Sequence, residues 1–525
     1  MAQYYGITVG PIMQTLMLTA KPAGLWCGSY IFSYLVRNLC EALMGSGVDK
    51  KDFLAPCFET QKNDDGDIEI LQAIRGVGLF HDRIIFKGKD KTMPEISEIA
   101  EKTKRELGKR LAEAANRAEA EDFMSRYLQI HIVCREVGDD ENPVVALSKY
   151  LDISELMYTF NQNYVSNPIL DLFDKDRDDG ISAANFLKKS FLIEDCRGQW
   201  PLIKKGDTSI MNMEDIAGSC AAVKDLKQYK YCTLIKADGD NMTRVLVNLK
   251  EHDKIRDFTK CCLNYEVEAV KEIKNYGAVN IYAGGDDLMF IAPLTGSNGD
   301  TLFNLLKSIR SKFYEAFKDQ AYEYLPTLSF GVVIHYYKFP LYEWAQEANA
   351  ALEDGAKKVK DKDALVVNLT KHSGKKRMLV LEKIHQSEVY TEFLKLVESV
   401  QRGSITTQES FQEEFLSSVP QKLQMFQTVF LEALRYGDQA VANFMKNTFD
   451  AQWHGKDKIE AYLNRILSLT LAIRKYALGI SKEKLETLNE NLYRGTIKNV
   501  YDFMYLLLCN MLQTASFLIE KKEDE

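Results

Sequence analysis

The sequence predicts an α+β protein that ends in an all-α region. Strand-like apolar runs alternate with long amphipathic stretches as far as about Lys375, and one order of elements occurs twice there. Beyond that point, the apolar stripes have the helical period. With 525 residues, 46% of them hydrophobic, the chain is long enough to bury several cores and to form about three or four domains.

The first unit opens with a strand candidate, followed by an apolar-striped helix that runs to about Met44. Strand-like runs then recur, and a long helix rich in Ala, Glu, Lys and Arg precedes the last strand. The predicted strands and the long helix, in order, are Tyr4–Val9, Phe53–Phe58, Ile68–Ile74, Arg83–Phe86, Pro94–Tyr127 and Leu128–Cys134. The order β-α-β-β-α-β is typical of a ferredoxin-like unit.

The same order returns from Tyr231, so the sequence predicts two related ferredoxin-like units. The second unit has a strand, a helix, a hairpin, a helix over Thr301–Phe317 and a strand over Thr327–His335. A further amphipathic helix, Leu341–Val359, and a strand, Ala364–Leu369, extend it.

A buried hairpin in the second unit carries two acids at its turn. Two apolar runs of Asn280–Pro293 flank Gly-Gly-Asp-Asp, and Gly284 and Gly285 can adopt positive φ without a Cβ clash. Asp286 and Asp287 open the outgoing strand. Adjacent carboxylates between such apolar runs repel each other and lose hydration unless a cation neutralises them. The turn therefore predicts a metal site, with a solvated acidic turn as the alternative.

A second acidic motif lies where an earlier strand ends. In Tyr231–Met242 a β-like run leads into Asp238, Gly239 and Asp240, and the stretch up to the hairpin is long enough for a crossover helix. The two strands should then be parallel, which puts Asp238 at the same sheet edge as the Gly284–Asp287 turn. Oxygen ligands of this kind suit Mg²⁺ or Mn²⁺ rather than zinc. Alone, Asp-Gly-Asp is also compatible with a turn or a helix cap.

A helical segment over residues 144–225 is expected between the two units. It contains an acidic loop, Asp174–Gly180, that is similar to a calcium-binding loop. The glycine falls one place late, however, and Asn185 stands where a bidentate Glu is needed. A solvated acidic turn is therefore the preferred interpretation.

The C-terminal part, residues 376–525, is predicted to be a helical bundle. Apolar residues from Tyr390 to Val400 share one helix face, and similar stripes follow. The sequence shows no catalytic constellation there, so a scaffold or a surface for partners is expected. Phe503–Ile519 is shorter than the roughly 20 apolar residues that span a bilayer and contains polar residues, which favours a buried core helix.

Composition disfavours several classes of protein. The net charge of −8 and the pI near 5.7 argue against nucleic-acid binding through overall positive charge, which leaves local contacts shared with partners. The ten cysteines form no Cys-x-x-Cys pair and no Cys/His cluster at zinc spacing, as expected for reduced thiols without zinc. The N-terminus lacks the basic and apolar regions of a signal peptide. A cytoplasmic protein without membrane contact is expected.

The motifs of both units resemble those of the large, palm-domain subunit of type III CRISPR effector complexes, especially of the type III-B branch. The first unit is similar in Gly6–Gln14 and Leu25–Tyr30, where a strand, Gly-Pro and a Leu-Trp-x-Gly-Ser helix start follow one another. The second unit is similar, in family order, at Ala237–Met242, Tyr282–Asp287, Ser329–Val333 and Leu369–Gly374. The resemblance covers residues 1–375 well, and the remaining helices agree in kind.

The resemblance implies a division into four domains. They are a non-catalytic first palm (1–143), a helical linker domain (144–225), a second palm with the Gly-Gly-Asp-Asp site (226–375) and the helical bundle (376–525). Two features of many family members are not seen in the sequence: an N-terminal His-Asp nuclease domain and a four-cysteine zinc module. The dipeptides His81-Asp82 and His252-Asp253 stand without other ligands, so cleavage of single-stranded DNA is not expected.

The resemblance further implies that the second palm is a nucleotidyltransferase that polymerises or cyclises ATP, and paired acids suit a two-metal site. Asp238, Asp286 and Asp287 are the expected catalytic residues and metal ligands. The expected substrate-binding residues are Gly239, Asp240, Asn241, Met242, Gly284, Gly285, Ser329 and Lys371.

Particular roles follow for some of these residues. The backbone amides of Gly239–Met242 would hold a triphosphate at the start of a helix. By resemblance, Ser329 would help to read adenine, although a strand serine is also compatible with simple packing. Lys358, Lys362 and Lys371 would meet phosphates, with a solvated basic surface as the alternative. Asp240 would either bind metal or cap the following helix.

Two acceptors for the adenylyl group remain open. Family members join ATP to ATP and release cyclic oligoadenylates, whereas some that lack the nuclease domain attach AMP to S-adenosylmethionine. A cationic sulfonium would favour nearby carboxylates of the first palm. Candidates are Asp64, Asp65, Asp67 and Glu69, although such a run is also typical of a solvated turn.

The resemblance also implies partners. In the family, guide RNA in partner subunits pairs with target RNA and switches on the palm site, so the expected partners are the other subunits, with RNA bound mainly through them. A catalytically quiet scaffold subunit is the alternative, and the intact acids argue against it. A stand-alone cyclase that makes a guanine dinucleotide is disfavoured, because the turn reads Gly-Gly-Asp-Asp-Leu and a second palm is present.

Overall fold

The computed structural model describes residues 2–19, 21–63, 66–69, 71, 77–114, 118–157, 191–192, 211–407, 411–449 and 456–522. These residues form a four-stranded sheet, a six-stranded sheet, a separate two-stranded hairpin and a helical C-terminal region. The predicted α+β class, with two ferredoxin-like units and a helical C-terminal part, is confirmed.

The first unit contains the four-stranded sheet. Its elements are β1 (Ala2–Gly10), α1 (Ile12–Leu16), α2 (Pro22–Gly45), β2 (Phe53–Ala55), β3 (Thr60–Asn63), β4 (Gly66–Glu69), β5 (Arg83–Lys87), α3 (Met93–Ala114), α4 (Glu121–Tyr127) and β6 (Gln129–Val137). The strand order β2-β5-β1-β6, antiparallel throughout, is the ferredoxin-like arrangement.

Two predicted elements of the first unit differ from the structure. The predicted strand over Ile68–Ile74 does not join the main sheet, because β4 pairs only with β3 in a separate hairpin, and residues 72–76 lie outside the described part. The predicted helix over Pro94–Tyr127 is two helices, α3 and α4. The alternation of apolar and charged residues continues across the interruption, which is why the periodicity alone shows no end.

The linker region is described only in part. Its helices within the described residues are α5 (Pro143–Glu155) and α6 (Met213–Ala217). The acidic loop Asp174–Gly180 lies outside the described residues. Helix α5 starts at an Asn142 cap, whose side-chain amide also donates hydrogen bonds of 2.6 and 2.7 Å to the carbonyl oxygens of Leu246 and Leu249. This cap ties the linker to the second unit.

The second unit contains the six-stranded sheet. Its elements are β7 (Tyr231–Asp240), α7 (Met242–Asn248), α8 (His252–Tyr276), β8 (Val279–Gly284), β9 (Asp287–Pro293), α9 (Leu302–Phe317), β10 (Thr327–Tyr336), α10 (Leu341–Ala350), β11 (Ala364–Thr370) and β12 (Lys376–Glu382). The strand order is β12-β11-β10-β7-β9-β8. Strands β7 and β8 are both antiparallel to β9. They therefore point in the same direction, as predicted, with β9 between them.

The predicted helix over Leu341–Val359 ends early. Helix α10 stops at Ala350, one turn of π-helix covers Ala351–Gly355, and a 3₁₀ turn covers Ala356–Lys358. Asp361, Lys362 and Asp363 then all have positive φ, between 49° and 72°. Because L-residues rarely adopt this conformation in succession, the segment before β11 is conformationally unusual.

The two units pack directly against each other. The hydroxyl of Thr259 on α8 donates a hydrogen bond of 2.8 Å to the carbonyl oxygen of Leu54 in β2. The side-chain amide of Asn280 in β8 donates one of 3.1 Å to the carbonyl oxygen of Val77. The turn of the second unit is therefore held close to the first unit.

The C-terminal helices pack on β12 and on one another. They are α11 (Glu388–Thr407), α12 (Phe411–Met425), α13 (Gln427–Tyr436), α14 (Asp438–Thr448), α15 (Lys456–Leu478), α16 (Lys482–Asn491) and α17 (Val500–Ile519). The predicted apolar stripe from Tyr390 to Val400 is buried. Among the described residues, α17 alone is long and apolar enough to cross a membrane by length and composition, and 72% of its most apolar window is buried inside the protein.

Candidate active site at the meeting of the two units

The Gly-Gly-Asp-Asp motif forms the reversal between β8 and β9. Gly285 has a φ of 71°, which favours glycine. A Cβ on Gly284 would lie 3.0 Å from the Cβ of His81, so the first unit closes directly onto the turn. Asp286 and Asp287 follow, and both are half-buried. The acids therefore lie at the contact between the units.

Asp238 faces this turn from the adjacent strand. Ala237 of β7 pairs with Leu288 of β9, which places Asp238 opposite Asp287 at the edge of the sheet. Gly239 lies against the turn, because a Cβ there would be 2.5 Å from Oδ2 of Asp286. The structure thus brings together the three acids that the sequence places at one sheet edge, and the glycine permits their close approach.

Burial and mutual repulsion dominate the electrostatics of these acids. Burial, and then the nearby charge of Asp238, raise the pKa of Asp286 to about 7. Burial and the charge of Asp238 also raise the pKa of Asp287 well above its usual range, with Lys236 acting in the opposite direction. At neutral pH the carboxyl groups of Asp286 and Asp287 therefore need a nearby cation to be fully ionised.

Lys357 supplies such a cation, and sequence reasoning missed it. Its ammonium nitrogen lies 2.6 Å from Oδ2 of Asp238 and 3.0 Å from Oδ1 of Asp240, and it donates hydrogen bonds to the main-chain oxygens of Asp238 (3.1 Å) and Gly239 (2.6 Å). Burial opposes the charge of Lys357, but the two carboxylates raise its pKa above the usual value. The short lysine-rich run on which it lies gave no sign of this contact.

Asp240 is a buried anchor. Its Oδ2 accepts hydrogen bonds from the hydroxyls of Thr327 (2.9 Å) and Ser329 (2.8 Å) and from the backbone N–H of Asp363 (3.0 Å). The residue is fully buried at the end of β7. Of its two expected roles, metal binding or helix capping, Asp240 does not perform the second. Helix α7 begins at Met242, and its N-cap residue, Asn241, has no side-chain cap hydrogen bond.

Ser329 serves the same anchor. Its hydroxyl donates to Asp240 and accepts a hydrogen bond of 3.3 Å from the backbone N–H of Ala364, and the side chain is fully buried. The hydroxyl therefore has both a donor and an acceptor partner within the protein. In this arrangement Ser329 has no hydrogen left to donate to a base.

Glu266 is a second residue that sequence reasoning missed. Its Oε1 accepts a hydrogen bond of 2.5 Å from the backbone N–H of Gly285, and burial raises its pKa well above the usual range. Its Oε2 is buried without a hydrogen-bond partner. One sequence signal existed, because Glu266 lies on the buried face of α8, three and four residues after Leu263 and Cys262. A Glu on the apolar face of a helix indicates a specific partner.

A cavity of about 340 Å³ opens beside the acids, between the two units. Its polar lining includes His81 and Asp82 of the first unit and Glu266, Asp286 and Asp287 of the second. Burial lowers the pKa of His81 to about 4 and raises that of Asp82. The apolar lining includes Leu71, Leu79, Met242, Leu246, Phe258 and Leu263. A cavity with an apolar wall and a few polar groups suits a small molecule that has both an apolar and a polar part.

Some predicted site residues lie at this edge and others do not. The Gly239–Met242 segment turns from β7 into α7 beside the acids, with Asn241 at a φ of 62°. Lys371 follows β11 at the opposite end of the sheet and pairs with Glu520, whereas the acids lie near the start of that strand. The structure therefore does not bring Lys371 to the site.

The other charged candidates are exposed, lie in the irregular segment before β11 or are not described. Lys358 is exposed, and Lys362 belongs to the segment with positive φ. Asp64 and Asp65 lie outside the described residues, as do the side chains of Asp67 and Glu69. The His252 ring nitrogen Nε2 lies 2.8 Å from the carbonyl oxygen of Lys51, on the surface of the unit contact.

The donor set fits a hard divalent cation. The carboxylates of Asp238, Asp286 and Asp287 and the carbonyl oxygen of Gly239 are oxygen ligands of the kind that Mg²⁺ and Mn²⁺ prefer. Within the described ranges, no three His, Cys, Asp or Glu side chains already converge on one metal position. The ammonium group of Lys357 contacts one of these carboxylates, that of Asp238.

Two family models match the chain. Residues 231–366 match the model described as Cas10/Cmr2, second palm domain. Residues 4–116 match the model described as CRISPR-associated protein Cmr2, N-terminal. The two matched segments coincide with the second and the first ferredoxin-like unit.

A curated relative and several solved structures are similar. The CRISPR system Cmr subunit Cmr2 of Pyrococcus furiosus is 29% identical over 172 residues, which are 28% of this chain and 19% of that protein. The match thus spans about a fifth of the relative's length. A Csm1–Csm4 cassette in complex with cA4 has a TM-score of 0.52 at 13% identity, over 99% of this chain and 70% of that chain.

A second solved structure supports the same fold. The type III-B Cmr-beta complex in its apo state has a TM-score of 0.53 at 11% identity, over 85% of this chain and 77% of that chain. At these identities the structural likeness shows the fold alone. The family matches carry the relationship.

Proposed function

Two segments of this chain belong to the Cas10/Cmr2 family of type III CRISPR large subunits, and from that premise we propose that the second palm transfers nucleotidyl groups from ATP in a metal-dependent reaction. The chain would act as the large subunit of an antiviral, RNA-guided complex. Its product would be a nucleotide second messenger. The single observation that carries the proposal is the meeting of Asp238, Asp286 and Asp287 at one sheet edge.

The acids are arranged for phosphoryl chemistry rather than for stability. Partly buried carboxylates that repel one another destabilise the fold, so a purely structural site would gain by losing them. Two hydrogen-bonded side chains nevertheless hold the acids in place. Glu266 accepts a hydrogen bond from the turn at Gly285, and Asp240 anchors the end of β7. Buried Glu266 and Asp240 thus help to keep the acids close together.

The chain's own residues would position the donor nucleotide. Mg²⁺ or Mn²⁺, when bound by the three acids, supplies charge neutralisation at the α-phosphate and the leaving pyrophosphate. Gly239 lets the backbone approach this point closely, because its missing Cβ leaves room for Asp286. The segment Gly239–Met242 would lie against the triphosphate, and its backbone N–H groups are the candidate donors.

The acceptor would lie in the cavity between the units. Its apolar wall suits an adenine ring, and Asp82 and Glu266 offer polar contacts. The acceptor is either the ribose hydroxyl of a second ATP or S-adenosylmethionine. Similar structures of a Csm1–Csm4 cassette have been solved in complex with cA4 and with pppApA. The nucleotides bound in those proteins favour joined adenylates as the product that we propose for this chain.

The proposal includes partners and a trigger. The homologues are subunits of Cmr or Csm assemblies, and a type III-B Cmr-beta complex has been solved bound to cognate target RNA. For this chain we propose contacts with the other subunits, guide and target RNA bound mainly through them, activation by target RNA, and a cytoplasmic location. The helical C-terminal part would supply surface for these partners.

Product analysis tests the proposal. The assembled complex is incubated with target RNA, labelled ATP and Mg²⁺ or Mn²⁺, with and without S-adenosylmethionine, and the products are identified by mass spectrometry. A ladder of cyclic adenylates unaffected by S-adenosylmethionine would identify ATP as the acceptor. One new species that requires S-adenosylmethionine would identify the conjugate. No nucleotide product in either reaction would favour the catalytically quiet scaffold and overturn the proposal.

A further inference from the structure

Lys357 has contacts that resemble those of a bound cation. Its ammonium nitrogen is within 3.1 Å of four oxygens: two carboxylate oxygens and two main-chain carbonyl oxygens. The side chain is only 10% exposed. An ammonium group has three hydrogens to donate, so four oxygen neighbours saturate it. This lysine is therefore a built-in part of the acid cluster rather than a surface charge.

The two carboxylates that Lys357 contacts differ in their freedom. Asp240 is fully buried, and three donors fix its Oδ2. Asp238 has a 28% exposed side chain and faces Asp286 and Asp287. The Asp240 carboxylate is thus fixed by its other partners and forms an ion pair of 3.0 Å with Lys357, whereas the Asp238 carboxylate, at 2.6 Å, is the more exposed of the two. Of the two carboxylates that contact Lys357, Asp240 is fixed by other hydrogen bonds, and Asp238 is the one that a metal ion can take over.

An irregular backbone segment directs Lys357 towards Asp238 and Asp240. The π-helical turn ends α10, and the 3₁₀ turn that follows places Lys357 under the end of β7. Three residues with positive φ come next, and a buried ion pair between Arg310 and Asp363, with N–O distances of 2.7 and 2.9 Å, holds the last of them. Departures from regular helix of this kind are frequent at functional sites.

A divalent cation that binds Oδ2 of Asp238 competes with Lys357 for that oxygen. Metal–oxygen distances for Mg²⁺ are about 2.0–2.1 Å, and a second positive centre at hydrogen-bond distance from the same oxygen would repel the metal.

We infer that Lys357 is the counter-ion of this site in the absence of metal and that a divalent cation competes with its ammonium group for Asp238. The inference rests on the proposed function, because it assumes that the acids bind metal. Without metal, Lys357 neutralises Asp238 and keeps the cluster together. When metal binds, Lys357 stays on Asp240 and gives up Asp238. Asp238 is therefore neutralised in both states, by the Lys357 ammonium group without metal and by the divalent cation when metal binds.

Metal affinity measured without substrate tests the inference. Mn²⁺ is titrated into the wild-type chain and into Lys357→Met, and binding is followed by calorimetry or by the EPR signal of free Mn²⁺. Removal of a competing partner should tighten Mn²⁺ binding by about tenfold. Lys357→Gln is the second variant, should Lys357→Met fold poorly, because its amide still donates to the carbonyl oxygens without a charge.

Two control variants separate displacement from simple removal of charge. Lys236→Met removes a positive charge that acts on Asp287 from β7, where its ammonium group instead contacts Asn349. Lys358→Met removes the exposed neighbour of Lys357. Both should leave Mn²⁺ affinity within about twofold of wild type, since neither contacts Asp238. Equal tightening in Lys236→Met would show a general electrostatic effect and overturn the inference.

Chemical labelling of wild-type protein provides an independent measurement. Acetylation of Lys357 by an amine-reactive reagent is followed by peptide mass spectrometry with and without Mn²⁺. The inference predicts faster labelling with Mn²⁺, because the ammonium group loses Asp238. Unchanged or slower labelling, or unchanged Mn²⁺ affinity in both Lys357 variants, would overturn it. If neither the wild type nor the variants bound Mn²⁺, the metal site of the proposed function would itself fail.

Discussion

The two ferredoxin-like units have the same strand order but opposite charges at the start of their third ferredoxin strand. In the first unit, β5 begins with Arg83, which pairs with Asp152 at 2.5 Å and Glu155 at 2.9 Å on α5. In the second, β9 begins with Asp287, preceded by Asp286, and both face Asp238. Carboxylates of the adjoining linker helix neutralise Arg83 of the first unit, whereas the second unit leaves negative charge for a cation. One architecture thus carries an ion-paired arginine in one unit and the proposed reaction centre in the other.

Removal of the paired acids should have the largest effect. The double variant Asp286→Ala, Asp287→Ala loses two expected metal ligands, so we expect nucleotide product to fall by at least about a thousandfold. Folding and partner assembly should remain intact, because mutual repulsion is removed at the same time. Asp152→Asn is the matched control, since it removes an exposed carboxylate that serves only the ion pair of the first unit. Product formation at the wild-type rate by the double variant would contradict the account.

A methyl group at Gly239 should separate the acids. In Gly239→Ala the new Cβ would lie 2.5 Å from Asp286 and force it away from Asp238. A displacement of about 1 Å at reacting groups lowers activity by about a hundredfold. Gly138→Ala at the end of the first unit is the control, because a Cβ there meets no atom within 4 Å. The rate of ATP conversion by both variants checks this, and equal rates would show that close approach at Gly239 is dispensable.

The support of the turn by Glu266 should have a smaller effect. Glu266→Leu removes the acceptor for the backbone N–H of Gly285, which leaves a donor unsatisfied at a cost of about 1–3 kcal/mol. We expect about tenfold lower kcat, mainly because Asp286 is less well positioned. Glu266→Gln keeps an acceptor oxygen and should restore most of kcat. Loss of stability without any change in kcat, or no rescue by Gln, would restrict Glu266 to a structural role.

The pH dependence of stability should reveal the strain on Asp286. Its pKa of about 7 in the folded protein is raised above the unfolded value, so the folded state binds more protons between the two values and loses stability as pH rises. The loss is complete above pH 7 and absent at low pH. In metal-free buffer, Asp286→Asn should therefore be more stable than wild type at pH 8 by about 1–2 kcal/mol.

Thermal melts at pH 5 and pH 8 in the presence of a chelator measure this difference. The advantage of Asp286→Asn should shrink towards pH 5, where the wild-type carboxyl group is largely protonated. An advantage that is equal at both pH values would contradict the role of its charge.

The sequence predicts the fold and the position of the acids, but it does not predict the residues that hold the acids and their turn in place. Strand period, glycine pairs and crossover length are local signals, and they place Asp238 beside Asp286 because β7 and β8 point the same way. Lys357 and Glu266 contact the site across the fold, from a helix end and a helix face, so no short motif contains the contact. Periodicity predicted one helix over Leu341–Val359, although the π turn that aims Lys357 interrupts it.

Two residues within the motifs illustrate the same limit. Asp240 and Ser329 belong to the segments that carry the resemblance, and their proximity to the acids led to the expectation of metal or adenine contacts. The structure shows that they bond each other and Asp363 instead. A motif thus indicates that a residue belongs to a site, whereas burial and available partners decide whether it contacts the ligand or holds the backbone.

The stoichiometry of pyrophosphate tests the central claim most directly. Target-activated complex is supplied with ATP labelled on the α-phosphate, and product-bound label, pyrophosphate and orthophosphate are quantified in the same reaction. The account predicts one pyrophosphate for each AMP incorporated, with both lost when the metal is chelated. Release of ADP and orthophosphate without incorporation of label, or incorporation that is unaffected by the chelator, would contradict a metal-dependent nucleotidyl transfer at Asp238, Asp286 and Asp287.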